Sequence, residues 1–114
     1  MIYHIARRSA WDEAVERGDY RQSTVDATLD EEGFIHASTA AQVQGVADRY
    51  YQDVADELVL LVIDPERLDV ELRWEAPAGR DERYPHLYGP LKVDAVVEVR
   101  PISRDEAGRL VIGL

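Results

Sequence analysis

An unbroken run of six aliphatic residues, Leu58 to Ile63, constrains the fold more than any other feature of the sequence. A strand that is apolar at every position, rather than at alternate positions, has both of its faces covered by other parts of the protein. Asp64 and Pro65 follow the run and end it. The sequence therefore predicts a strand that is buried on both sides.

Two helices are predicted before this strand. Ser9 is expected to cap the first helix, with Asp12 in a capping-box-like position, and Gly18 to end it. The second helix is expected to begin at Ser38 or Thr39, one of which acts as its N-cap. Its apolar residues recur with the helical period on a face that should be buried, and they are Val43, Val46, Ala47, Tyr50 and Tyr51.

Most of the predicted strands come late in the chain. Residues 2–6 form an early strand, whereas Val70, Leu72 and Trp74 alternate with charged residues as in a half-buried strand, which places Trp74 in the core. Polar loops are predicted over 23–32 and 76–83, and further strands over 94–100 and 110–114. This order favours an α+β fold with a small mixed or antiparallel sheet over a doubly wound one.

Composition narrows the classes of function. A chain of 114 residues suits one domain, 1–114, and the absence of cysteine excludes disulfides, thiolate nucleophiles and sulfur-ligated zinc. The net charge of −10 argues against binding to long nucleic acids. Lys92, the only lysine, has no neighbour that would activate it as a nucleophile. No membrane span or signal peptide is readable, and no histidine spacing predicts a metal site, so we expect a cytoplasmic protein without a metal.

The three histidines are the main candidates for chemistry. His4, His36 and His86 each lie among aromatic or aliphatic residues, in or beside a predicted strand. A buried imidazole is either a structural residue with satisfied hydrogen bonds or part of a site that uses its proton chemistry. Both readings stay open for each histidine.

The segment from Gly33 to Thr39 offers the first candidate site. Strand alternation puts Phe34, His36 and Ser38 on one face, and the segment ends where the second helix is predicted to begin. Free N–H groups at a helix N-terminus suit an anion. The alternative is that Ser38 or Thr39 only caps the helix.

The segment from Tyr84 to Pro90 encloses His86 with two prolines, a glycine and two tyrosines. Such a stiff, aromatic segment predicts the wall of a small-molecule pocket, or else a buried structural turn. Glu75 is expected to be a solvated carboxylate at the end of a strand, with an acid or base as the alternative.

We therefore expect one concave site with His36 and His86 as its catalytic residues. The predicted ligand contacts are His4 at the floor, Ser38, Thr39, Trp74 and Tyr88. The site is expected to prefer a small anionic or ribose-bearing ligand, because the second helix would supply donors at one end.

At these motifs the sequence resembles the domain-of-unknown-function 952 family of small bacterial and plant proteins. The resemblance runs from the first strand through the segments around His36 and His86. That family is similar in fold to the ADP-ribosyltransferase group, which includes the RNA 2′-phosphotransferases. The resemblance therefore implies a small split sheet with two early helices, and NAD, bound in a cleft between two sheets, as a candidate cofactor.

The resemblance also suggests roles for individual residues. His4 and the His36-Ala37-Ser38 step match two family positions, so His4 and Ser38 would hold a ribose. His36 would orient a phosphate or act as an acid or base, and Tyr88 would stack on a ring. Three functions follow: an enzyme that handles NAD or ADP-ribose, a binding module without turnover, and an adaptor that uses exposed aromatic residues.

Overall fold

A computed structural model describes all 114 residues, Met1–Leu114. The chain forms ten strands and three α-helices. The strands are β1 (Ile2–Arg7), β2 (Asp19–Tyr20), β3 (Ile35–His36), β4 (Leu58–Ile63), β5 (Glu71–Glu75), β6 (Tyr84–Tyr88), β7 (Leu91–Lys92), β8 (Val96–Pro101), β9 (Ser103–Arg104) and β10 (Leu110–Val111). The helices are α1 (Arg8–Arg17), α2 (Leu29–Glu32) and α3 (Ala40–Val46), which continues as a π-helical segment, Ala47–Tyr51.

The first sheet has the order β1-β4-β8, and all of its pairings are antiparallel. Every residue of β4 is buried, which confirms the prediction of a strand covered on both faces. Val59, Leu61 and Ile63 pack in one core with α1, whereas Leu58 and Leu60 pack in a second core with α3. Because side chains alternate between the two faces of a strand, β4 contributes residues to both cores.

The second sheet has the order β3-β6-β5 and is also antiparallel. In it His36 lies directly opposite His86. A bridge between Tyr3 and Ser38 ties β1 to the segment that follows β3, with two backbone hydrogen bonds of 2.8 Å. The α+β class and an antiparallel sheet divided into separate parts are therefore as the sequence predicts.

The helices differ from the predictions at their ends. Helix α1 begins at Arg8 rather than after Ser9, and no side chain caps it. The segment predicted as a loop contains α2, where Thr28 and Glu31 form the capping box. Gly18 does end α1, in the left-handed conformation at φ 103°.

Helix α3 begins after Thr39, as predicted, but its apolar face is only partly buried. Val43 and Val46 are buried, and so are Ala47 and Tyr51 in the π-helical segment, whereas Tyr50 is 56% exposed. A π-helical turn holds more residues than an α-helical turn, so it rotates the residues that follow it out of the 3.6-residue period.

Trp74 was predicted to lie in the core, and this prediction is wrong, since Trp74 is 46% exposed. It lies on β5, the edge strand of its sheet. Leu72, two residues earlier, still packs against the core. The apolar layer therefore ends before the end of β5.

No helix of the protein is long and apolar enough to cross a membrane.

Candidate functional site

One cavity of about 410 Å³ lies beside the second sheet, and it contains the two predicted catalytic histidines. Their ring centroids are 5.1 Å apart, because β3 and β6 place the two residues directly opposite each other. Twelve residues line the cavity, and they are Ser23, Thr24, Val25, Asp26, Glu32, Phe34, His36, Val46, Tyr50, Tyr51, Pro77 and His86.

A carboxylate fixes the ring of His86. Nδ1 of His86 lies 2.9 Å from Oε1 of Glu75, and the Tyr88 hydroxyl donates to the same oxygen at 2.5 Å. These hydrogen bonds, that of Tyr88 first and that of His86 second, lower the pKa of Glu75 below its ordinary value. Glu75 is therefore an ionised acceptor, and the ring proton of a neutral His86 sits on Nδ1.

The other ring nitrogen of His86 has no partner within the protein. His86 is only 4% exposed, and its Nε2 atom is buried without a hydrogen bond. Phe34 stacks on the ring with centroids 4.1 Å apart and an interplanar angle of 17°. With the proton held on Nδ1, Nε2 carries a lone pair, and it belongs to a residue that lines the cavity.

His36 lies beside this ring as a second imidazole. It is half-buried and also contacts the ring of Tyr84, at 5.3 Å between centroids. Burial, reinforced by the nearby His86, lowers the pKa of His36 to about 4. His36 is therefore uncharged at neutral pH.

Ser23 is a residue of this cavity that the sequence did not reveal. It is fully buried, and its Oγ atom has no hydrogen-bond partner. Its backbone N–H donates to the Ala27 carbonyl, which closes a tight turn before α2. Ser23 Oγ and His86 Nε2 are the two buried side-chain polar atoms of this protein without a partner, and both belong to residues that line the same cavity.

His4 does not lie at the floor of this cavity. It is buried in the core, with Nδ1 2.6 Å from the His36 carbonyl oxygen and Nε2 2.9 Å from the Tyr20 hydroxyl. Burial lowers the pKa of His4 to about 4, so the ring is neutral. A carbonyl can only accept, which puts the ring proton on Nδ1 and makes Nε2 the acceptor of the Tyr20 hydroxyl. Both nitrogens of His4 are thus satisfied.

The other predicted ligand contacts also lie outside the cavity lining. Ser38 is buried at the bridge to Tyr3, and Thr39 is the N-cap of α3, where its backbone N–H donates to Gln42 Oε1 at 3.0 Å. Trp74 is exposed, and Tyr88 contacts the site through Glu75 and through the ring of Phe34, at 5.6 Å between centroids. The N-terminus of α3 therefore supplies no donors to this cavity.

The charged residues of the lining are acidic. Asp26 and Glu32 are among the twelve residues, and no lysine or arginine is. Arg49 and Arg80 line a small hollow that shares His36, Val46, Tyr50 and Pro77 with the cavity. Arg49 is engaged there, because its guanidinium donates to the Tyr84 hydroxyl at 3.0 Å. No group of three or more histidine, aspartate or glutamate residues is arranged to hold a metal ion.

Comparisons with known proteins identify relatives without an assigned activity. The family described as "Protein of unknown function (DUF952)" matches residues 5–99. The crystal structure of protein CC0527 from Caulobacter crescentus, a structural-genomics target, is 38% identical, and the match covers 98% of this chain and 94% of that one with a TM-score of 0.83. The solution structure of the same protein is 40% identical over 94% and 88% of the two chains, with a TM-score of 0.76. No curated protein matches the chain.

Proposed function

We propose that this chain, which belongs to the DUF952 family of proteins of unknown function, is a small-molecule enzyme in which His86 is the general base. One observation carries the proposal: Glu75 holds Nδ1 of His86, and Nε2 is left as a buried, unpartnered acceptor in a residue that lines the cavity. A buried polar atom without a partner costs about 1–3 kcal/mol. A fold that keeps one beside a cavity favours a functional role for it over a structural one.

The carboxylate behind His86 favours catalysis over binding alone. A ring that only accepts a hydrogen bond from a ligand needs a fixed tautomer, and the carbonyl that holds His4 shows that a neutral acceptor is enough for that. Glu75 adds a negative charge, which stabilises the imidazolium formed when His86 takes a proton. Glu75 and Tyr88 are thus positioning residues, and His86 is the catalytic one. The reaction class is proton removal from a substrate or from an attacking water.

A matched set of variants tests this proposal. The wild type is screened for turnover against a panel of esters, lactones and NAD, and any activity found is measured in His86→Gln, Glu75→Gln and Glu98→Gln. Removal of a general base lowers the rate by about 10²–10⁴-fold, so His86→Gln should lose that much kcat. Glu75→Gln should lose less and shift the pH profile.

Glu98→Gln is the control, because Glu98 lies on β8 in the other sheet and pairs with Arg100. It should keep the wild-type rate. An activity that survives His86→Gln contradicts the proposal. Stoichiometric binding of a panel compound without turnover of any compound supports the binding module instead.

NAD or ADP-ribose handling, together with a fold like that of the ADP-ribosyltransferases, is the second candidate function. The observation that favours it is the hollow beside the cavity, where Arg49 and Arg80 adjoin His36. Guanidinium groups bind phosphate oxygens well. In this proposal the cavity takes a base or ribose, and the two arginines take the pyrophosphate.

The double variant Arg49→Gln/Arg80→Gln tests this second function. NAD should raise the Tm of the wild type, and it should raise the Tm of the double variant much less. Arg100→Gln is the control, because Arg100 lies on β8 and pairs with Glu98. An equal rise in all three proteins, or no rise in the wild type, contradicts NAD handling.

A further inference from the structure

We infer that the cavity between Ser23 and His86 is a subsite for an uncharged or cationic planar aromatic group. This inference names the substrate class of the proposed enzyme and rests on the same cavity. The Arg49 and Arg80 hollow next to it is a separate location. Three properties of the lining support the inference: its unpartnered polar atoms, its aromatic walls and its charge.

The polar atoms define what the ligand must present. Nε2 of His86 is an acceptor, so the ligand places a donor there, whereas the Ser23 hydroxyl both donates and accepts. Both atoms are buried, so a ligand that reaches them displaces lining side chains and forms these hydrogen bonds away from bulk water. The ligand thus carries at least two polar atoms, one of which is an N–H or O–H donor.

The walls of the cavity are flat and apolar. Phe34 stacks on His86 within the lining, which covers one face of each ring, and Tyr50, Tyr51 and Pro77 contribute further ring surface. Tyr50 and Tyr51 come from the π-helical segment, an irregularity that frequently occurs at functional sites. A volume of about 410 Å³ lies in the range of small-molecule sites. Such walls suit a planar ring system.

The charge of the lining selects against anions. Asp26 and Glu32 are the acidic residues of the cavity, and the low pKa of His36 keeps that ring neutral. Two nearby cations are engaged: Arg49 donates to the Tyr84 hydroxyl, and Arg7 donates to the Val25 carbonyl oxygen and to Asp56. Carboxylates beside aromatic faces attract a cation.

Three probes of nearly equal size separate these features: tryptamine, which is cationic, tryptophol, which is uncharged, and indole-3-acetate, which is anionic. Each has an indole N–H for His86 and a second polar group for Ser23. Titrations followed by ¹H–¹⁵N NMR should place the perturbed resonances at the cavity residues. Tryptamine should bind at least about tenfold more tightly than indole-3-acetate, with tryptophol between them.

Variants assign the effect to residues. Ser23→Ala should weaken tryptophol binding about fivefold and leave Tm unchanged or higher, since its hydroxyl makes no hydrogen bond within the protein. Ser38→Ala, at a buried serine outside the cavity lining, should leave binding unchanged. Asp26→Asn/Glu32→Gln should remove most of the preference for tryptamine.

The inference would be overturned if indole-3-acetate bound more tightly than tryptamine or if the three affinities did not depend on charge. It would also be overturned if no probe bound at 5 mM, or if the perturbed resonances lay away from the cavity. The probes report binding and not turnover. If the charge order holds but no substrate is turned over, the general-base function fails and the subsite stands. If turnover depends on His86 but the charge order fails, the function stands and the subsite is wrong.

Discussion

His4 and His86 are buried to nearly the same extent, 3% and 4% exposed, yet their surroundings differ in kind. His4 joins a backbone carbonyl to a tyrosine hydroxyl, and both of its ring nitrogens are satisfied inside the core. His86 has one nitrogen on a partly exposed carboxylate and the other without a partner at a cavity. Burial alone therefore does not tell a structural histidine from a functional one. What distinguishes the two histidines is whether the second ring nitrogen has a hydrogen-bond partner inside the protein.

The largest expected effect is on stability at His4. His4→Ala leaves the His36 carbonyl and the Tyr20 hydroxyl unpaired in the core, so it should lower the free energy of unfolding by about 3 kcal/mol. His86→Ala should cost less, because His86 makes only one side-chain hydrogen bond and its partner, Glu75, is partly exposed. Urea denaturation at pH 7 measures both variants. Equal losses would remove the distinction between the two residues.

The pH dependence of stability should follow the satisfied core histidine. The pKa of His4 is about 4 in the folded protein and that of an unperturbed histidine is 6.5, so the unfolded chain binds the proton first as the pH falls. The His4 contribution to stability should be constant above about pH 6.5, decrease between pH 6.5 and 4, and level off below. For His4 the loss amounts to about 3 kcal/mol.

His36 should add a smaller loss over the same range, because its pKa is also about 4 but its ring is partly exposed. Urea denaturation at pH 7, 5.5 and 4.5 measures the sum, and His36→Gln should make the profile shallower. A free energy of unfolding that is flat from pH 7 to 4.5 would show that neither ring is held neutral by burial.

The smallest effect is expected near the end of the edge strand β5. Trp74→Ala should change the free energy of unfolding by less than about 1 kcal/mol, because Trp74 is 46% exposed on an edge strand. Leu72→Ala, two residues earlier and packed against the core, is the matched comparison and should cost more. The reverse order would mean that the buried layer extends to the end of β5.

Patterns with a strong local cause were readable from the sequence. The six aliphatic residues of β4, the glycine that ends α1 and the Thr39 boundary of α3 all follow from side-chain periodicity or backbone conformation. The π-helical turn that exposes Tyr50 and the end of the apolar layer at Trp74 depend on tertiary packing, which no local pattern contains.

The candidate site was readable only in part. The stiff, aromatic segments around His36 and His86 predicted a site at these residues. The pairing of β3 with β6 brings their rings together. Ser23 sits in a polar turn far from both in sequence, so nothing local marks it. The sequence predicted a solvated carboxylate at Glu75. Its contact with His86 arises across the β5–β6 pair and therefore has no local sequence signal.

Measuring the tautomer of His86 is the sharpest test of its role as a general base, because this measurement needs neither a ligand nor a known reaction. Long-range ¹H–¹⁵N correlation spectra of the ¹⁵N-labelled protein at pH 7.5 report which ring nitrogen carries the proton, with His86→Gln to assign the signals. His86 should carry its proton on Nδ1 and have a bare Nε2, and this preference should be lost in Glu75→Ala, which removes the acceptor, but not in Glu98→Ala on β8. A proton on Nε2 in the wild type would contradict the assignment of His86 as the general base, because this nitrogen would then be a hydrogen-bond donor.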